Sequence, residues 1–321
     1  MLVTGAAGFI GSHLVRLLLD RGRRVIGLDN FDDYYDPAWK RRNAAEFLGN
    51  PAFELVEGDL RDQDLLERVF SSAPLESVAH LAALAGVRTS VAHAERYLDV
   101  NVMGSLRLLE ASRRAANSPG KSPNFVFAST SSVYGRTTRV PFVEDDTADR
   151  PLAPYPASKR AVELLGHAYH HSHGQNFTAL RFFTVYGERG RPDMMAYLVF
   201  ESMRHGKPLP LYNGGRMYRD WTYVGDIVTG VTAALDRRLG YEIINLGRGE
   251  PVLLADFVDG LRELTGKKDN LVEEPMMAAD VSYTYANIDK ARRLLDYQPR
   301  VSVQEGLRRF YEWYVRAVGP F

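Results

Sequence analysis

Short runs rich in β-branched and aromatic residues recur through the first half of the chain, each followed by a longer segment with apolar residues three and four positions apart. Leu2 to Thr4, Val25 to Leu28, Phe53 to Val56, Val78 to Ala82, Phe125 to Ser129 and Thr178 to Leu180 are such runs. Nearly continuous apolar character over so few residues predicts strands buried on both faces, and the intervening lengths predict returning helices. The rhythm is that of an α/β fold, a Rossmann-like doubly wound parallel sheet. Helix ends are punctuated: "HLVRLLLDRG" stops at Gly22 and "ASKRAVELLGHAYHHSHG" at Gly174, where glycine supplies the left-handed conformation that closes a helix. After Arg181 the pattern loosens into Gly-, Pro- and Tyr-rich connections, with a further strand at Glu242 to Leu246. Leu254, Phe257, Val258, Leu261 and Leu264 then form one apolar stripe, predicting a helix over Leu254 to Thr265 ended by Gly266. A Ser302-x-x-Glu305 capping box opens the last helix. No repeat or linker interrupts the chain, so a smaller α/β C-terminal unit is expected to pack directly on the first.

Composition narrows the chemistry. The chain has 321 residues, 45% of them hydrophobic, enough for a large core. Forty basic residues balance forty acidic ones, so no global field gathers nucleic acid or an anionic membrane, and an acidic ligand must be caught by local groups. The absence of cysteine excludes disulfides, thiolate metal sites and a cysteine nucleophile. The apolar opening "MLVTGAAGFIGSHLVRLLLD" imitates a secretory leader but has no positive start and is broken by glycines. No run of 18 apolar residues is present, and a cytoplasmic protein is expected.

Candidate chemistry begins at "VTGAAGFIGSHL", where Gly5, Gly8 and Gly11 fall at the turn from the first strand into the first helix. Such a turn offers backbone N–H groups and a positive helix end to a pyrophosphate, which side chains would block. Asp29 follows at the end of the second strand, 18 positions beyond Gly11. A carboxylate there accepts hydrogen bonds from an adenine ribose diol and repels a 2′-phosphate, so the cofactor expected is NAD, not NADP. Tyr155 and Lys159 stand four apart on a predicted helix and share a face. A tyrosine titrates near pH 10 and needs nearby positive charge to act as a base at neutral pH. In "FASTSSVYG", four consecutive hydroxyl residues, Ser129 to Ser132, leave a strand with no carboxylate among them.

The Gly-x-x-Gly-x-x-Gly spacing, "HLAA" at His80 to Ala83, "NVMG" at Asn101 to Gly104 and "YPASK" at Tyr155 to Lys159 resemble the extended short-chain dehydrogenase/reductase family over nearly the whole chain. The resemblance implies a dinucleotide-binding part, residues 1–180 with about 220–247, and a UDP-sugar-binding part, about 181–219 with 248–321. It implies catalysis by Tyr155, Lys159 and Thr130. Around the cofactor it implies Phe9, Ile10, Asn30, Asp59, Leu60, Leu81, Ala82 and Ala83, with Asn101 in a structural and proton network. His80, inside a predicted buried strand, is read as a hydrogen-bonded core residue in preference to a base. Members that dehydrate the sugar carry Asp-Glu after the threonine, and those that decarboxylate a uronic acid carry a glutamate nearby. Ser131 and Ser132 can play neither part, which leaves hydride out and hydride back: epimerisation.

"LRFFTVYGERGRPDM", "NFDDYYDPAWKR", "LAALAGVRTS" and "RDWTYVGDIV" resemble the family's 4-epimerases of UDP-uronic acids. This implies UDP-glucuronate and UDP-galacturonate as the sugar pair, Thr184 and Arg191 on the C6 carboxylate with Ser131 or Ser132 helping, and Arg219 on the diphosphate. Asp280 would lie near the nucleotide, although Met277 stands where the pattern has Arg or Gln. A neutral UDP-glucose 4-epimerase and a UDP-glucuronate decarboxylase are the alternatives. Arg191 also fits a surface arginine, and Arg88 fits either the substrate pocket or a solvated loop. Tyr34 and Tyr35 suit the cofactor edge or a dimer contact. His167, His170 and His171 share a helical face, read as solvated or interfacial with no metal site. A homodimer through the helices around Asn101 and Tyr155 is a further implication of the family.

Overall fold

In the computed structural model, which describes residues 1–116, 122–276 and 281–320, seven parallel strands form the central sheet. They are β1 (Leu2–Thr4), β2 (Val25–Asp29), β3 (Phe53–Glu57), β4 (Ser77–His80), β5 (Asn124–Thr130), β6 (Phe177–Phe182) and β11 (Tyr241–Leu246), in spatial order β11-β6-β5-β4-β1-β2-β3. The order reverses beside β1, and a ligand crevice forms where neighbouring connections diverge to opposite faces. Alternation along each strand feeds two cores. On β5, Phe125 and Phe127 join Leu2, Val78, Leu108 and Val162 on one face. Val126 and Ala128 join Val3, Leu14, Leu180 and Ile227 on the other.

Short strands complete the chain: β7 (Thr184–Tyr186) pairs with β10 (Trp221–Tyr223), β8 (Leu209–Tyr212) with β13 (Leu271–Glu274), and β9 (Tyr218–Arg219) with β12 (Val252–Leu253). The helices that matter to the site are α1 (Phe9–Asp20), α2 (Pro37–Ala45), α3 (Gln63–Ser72), α4 (Val87–Ala92), α5 (Ala94–Leu98), α6 (Gly104–Arg114) and α7 (Pro154–His173). They are followed by α8 (Met195–His205), α9 (Val224–Leu235), α10 (Leu254–Thr265), α11 (Asp289–Leu295) and α12 (Val303–Ala317). The predicted strands are all present, with ends displaced by a residue or two; the run read to Ala82 stops at His80. α10 has the predicted bounds, and Gly174 and Gly266 close their helices with φ of 65° and 62°. Only half of the predicted capping box forms. The Ser302 hydroxyl accepts from the Glu305 N–H at 3.1 Å, while the Glu305 carboxylate turns to Arg308 and Arg309.

Among the described residues, no helix is long and apolar enough to cross a membrane, and no group of three or more His, Asp or Glu could hold a metal ion. On α7, His167 packs edge-on to Tyr241 and His170 hydrogen-bonds the Gln175 carbonyl at 2.9 Å.

Candidate active site

Two adjoining cavities open at the carboxyl ends of β1, β2, β4 and β5. The first is lined by Gly5, Gly8, Phe9, Ile10, Gly11, Asp29, Asn30, Asp59, Leu60, Leu81, Ala82 and Ala83, read from the sequence as cofactor contacts, and by Tyr155 and Lys159, the catalytic pair that the resemblance also places against the cofactor. Its floor is backbone. Gly5 takes φ of +67° and donates to the Leu28 carbonyl at 2.8 Å, and a Cβ on Gly11 would stand 1.9 Å from the Gly5 carbonyl oxygen. Only glycine at both positions lets β1 turn into α1 so tightly. At the opposite end Asp29 accepts from the Ala7 N–H at 3.0 Å and the Phe31 N–H at 2.9 Å. Burial raises its carboxyl above the ordinary range, and those two N–H groups work against the rise. Asn30 donates to Asp59 at 2.9 Å, and Arg61, forked on Asp59, takes that carboxyl down to about 2. A backbone cradle at a helix start and a carboxylate at the second strand's end fit a dinucleotide.

The cavity wall has further polar supports. Asn101, on a π-helical turn Asp99–Met103, accepts from the Leu84 N–H at 2.8 Å and donates to the Leu84 carbonyl and to Ser158 at 3.0 Å. A π turn lets one side chain reach sideways from a helix, and here it ties the loop after β4 to α7. His80 hydrogen-bonds Thr4 and Ser105, each at 2.8 Å. Burial, with Lys159 adding, lowers it to about 3, so it is a neutral core group.

The reacting residues gather where β5 meets α7. Thr130 ends β5 and accepts from the Ser132 N–H at 3.2 Å. Burial pushes the Tyr155 hydroxyl above its ordinary value, and the Arg191 guanidinium and the Thr130 hydroxyl pull against that. Lys159 donates to the Ala128 carbonyl at 2.9 Å and lies over the Phe127 ring; burial lowers it to about 7, with the Glu163 carboxylate opposing. Arg191 is thus a further cation near Tyr155, a partner that the helical spacing does not reveal.

The second cavity, about 510 Å³, is lined by Arg88, Thr184 and Arg191 together with Tyr34, Asp193, Tyr197, Trp221 and Phe310. Arg88 lies over the Tyr212 ring at 4.3 Å, reaching from α4 to β8. Arg191 forks Asp193 at 2.9 and 3.1 Å. Burial works against ionisation of Asp193, and Arg191 overcomes it, holding the carboxyl below its ordinary value. Thr130, Asn101, Ser131, Ser132 and Arg219 line neither cavity, Thr130 standing next to the lining residue Ser129 and Asn101 next to Val100. Arg219 instead donates to the Tyr218 carbonyl at 2.9 Å and to the Met217 sulfur. Asp280 and Met277 lie outside the described residues. Tyr34 and Tyr35 line the cofactor cavity, and so does Lys40, which the sequence reading passed over. Lys40 donates to the Asp32 carbonyl at 2.6 Å beneath the Tyr35 ring. Asp193 was also missed, though it stands only two positions beyond Arg191 in the stretch that carries the resemblance.

The NAD dependent epimerase/dehydratase family pattern matches residues 1–247. The chain belongs to this family. Over 333 residues it is 43% identical to UDP-glucuronate 4-epimerase 4 of Arabidopsis thaliana, covering 98% of this chain and 75% of that one. It is 40% identical to the UDP-glucuronate 4-epimerase of Thermodesulfobacterium geofontis, over 97% of this chain and 95% of that one. The crystal structure of UDP-glucuronic acid 4-epimerase from Bacillus cereus with UDP-glucuronic acid and NAD superposes with a TM-score of 0.90 at 35% identity, covering 98% of each chain. The fold and the NAD dependence of the family accord with the glycine cradle and Asp29.

Proposed function

We propose that this family member interconverts UDP-glucuronate and UDP-galacturonate by NAD-dependent 4-epimerisation, without loss of carbon dioxide. One observation carries the reading: Arg191 stands in the wall of both cavities, with Tyr155 lining the first and Thr184 the second, while none of the residues Ser129 to Ser132 at the end of β5 is a carboxylate. An arginine fork suits a sugar carboxylate, and the one acid that reaches the hydroxyl stretch, Glu163 on Ser129 at 2.6 Å, is buried, forked by Arg181 at 3.0 and 2.9 Å and lines neither cavity.

NAD, when bound, supplies the acceptor and donor of hydride at the sugar C4. Tyr155 takes the C4 hydroxyl proton as the C4–H bond breaks and gives it back after the ring has turned its other face. Thr130 orients the C4 oxygen through its hydroxyl, and Lys159 holds positive charge beside the base. Arg191 and Thr184 fix the carboxylate, because the 4-keto ring is a β-keto acid that loses carbon dioxide when that group is free to rotate. Arg88 lines the sugar pocket from the α4 side, whereas Ser131, Ser132 and Arg219 line neither cavity, so their assignment to the UDP-sugar rests on the resemblance alone, as does that of Asp280. The division into residues 1–180 with about 220–247, and about 181–219 with 248–321, assigns one cavity mainly to each part. The exposure of Val91, Leu98, Met103 and Leu164 on and between α4 and α7 supports a homodimer through this face.

The purified protein, offered UDP-glucuronate and UDP-glucose in separate reactions, is expected to turn over the uronate much faster and to release no carbon dioxide. Preference for UDP-glucose would move the assignment to a neutral-sugar epimerase, and carbon dioxide release to a decarboxylase.

A further inference from the structure

Two residues, Tyr34 and Arg191, line both cavities, and Asp193 joins them. The Asp193 carboxylate takes the Nε and Nη2 donors of Arg191 at 2.9 and 3.1 Å, and its Oδ2 also accepts the Tyr34 hydroxyl at 3.1 Å. Tyr34 is itself fixed. Its N–H donates to Asp32 at 2.9 Å, its hydroxyl lies 3.5 Å from the Thr89 hydroxyl, and a Cβ on Gly86 would stand 2.4 Å from its oxygen. Asp193 therefore cannot swing aside without breaking a second hydrogen bond, and the side-on edge of the Arg191 fork is occupied before substrate arrives.

We propose that Asp193 is a positioning residue that shares Arg191 with the sugar carboxylate and so limits how firmly the uronate is held. This rests on the reading that Arg191 takes that carboxylate. An arginine fork gives its full bidentate bond to one carboxylate at a time. A second carboxylate arriving at the Nη1 end meets a cation already paired and a like charge close by. The shared grip suits epimerisation: the ring must turn over between the two hydride steps, so a carboxylate locked into the whole fork would hinder the turn.

The test is steady-state kinetics of Asp193→Asn, a near-isosteric change that keeps an acceptor for Tyr34. With UDP-glucuronate, KM is expected to fall about tenfold, as for one added charge-assisted contact, and kcat to fall with it because the ring is released more slowly. Neither constant should move comparably with UDP-glucose. In an Arg191→Ala background the same substitution should change neither constant, since its effect passes through Arg191. Tyr34→Phe, with NAD content and melting temperature checked, should shift KM in the same direction by less, and Asp193→Glu should restore values toward the parent. A KM that rises or stays, a kcat that does not fall, or an effect that persists without Arg191 overturns the proposal. If Arg191→Ala alone leaves UDP-glucuronate turnover intact, the carboxylate reading fails and takes this proposal with it, a pattern distinct from the other three.

Discussion

The cofactor end of the crevice is made of backbone, and the substrate end is made of long side chains. At the first, Gly5 and Gly11 let β1 pass into α1 with no atom to spare, and Asp29 is fixed by two backbone N–H groups. At the second, Arg88 reaches across to Tyr212, and Arg191 is held by Asp193 and through it by Tyr34. Backbone cradles tolerate almost no substitution and fix their ligand rigidly. Side-chain grips can be shared and released, which suits a firmly kept cofactor beside a sugar that must turn over.

Tyr155 stands at the junction, so its removal should separate the two ends most sharply. Tyr155→Phe is expected to lower kcat about a thousandfold while NAD is retained, read from the absorbance of the denatured protein's released cofactor. A variant that stays active sends the proton elsewhere. Next in size, Gly11→Ala tests whether the cradle tolerates a single methyl: its Cβ meets the Gly5 carbonyl at 1.9 Å. A loss of about 3 kcal/mol in unfolding free energy, with NAD lost, is expected from denaturant titration, and a cofactor-bound variant of normal stability would break the contrast.

The two ends are also joined through a half-buried histidine. His13 on α1 hydrogen-bonds the Glu188 carbonyl at 2.8 Å, in the loop that leads to Arg191, and burial lowers it to about 4. His80 is lowered to about 3. Both are neutral when folded and take protons near pH 6.5 when unfolded, so their contribution is present above pH 6.5 and lost as pH falls toward 4 and then 3. Melting curves from pH 7.5 to 4 should show a loss on the order of 3 kcal/mol from each histidine, so about half as steep in His13→Asn; identical slopes would remove His13 as the link. Smallest is Arg191→Ala, expected to cost UDP-glucuronate turnover about tenfold in kcat/KM and UDP-glucose little. Equal losses on both sugars would make Arg191 a structural member of the wall.

This contrast also explains what was legible in the sequence. The strands, the glycine turn, Asp29 and the Tyr155–Lys159 spacing are local patterns that follow from helix and strand periods and from backbone sterics. Asp193 was hidden because its meaning depends on Tyr34, 159 positions away, meeting it across the cavity. The approach of Arg191 to Tyr155 was hidden for the same reason: the two are far apart in sequence, whereas Lys159, one turn away on α7, is legible from helical spacing and is held in place by the Ala128 carbonyl. Arg219 shows the converse, since a matching motif did not bring its side chain into either cavity. Local backbone demands can be read one segment at a time, whereas a grip shared between loops exists only once the chain is folded.

The central claim is best tested by incubating the purified protein with UDP-glucuronate, with no NAD added, and following the sugar by proton NMR. The account predicts UDP-galacturonate with no UDP-pentose, which requires retained cofactor, inversion at C4 and a protected carboxylate together. Untouched UDP-glucuronate beside ready conversion of UDP-glucose, or the appearance of UDP-pentose, would contradict it.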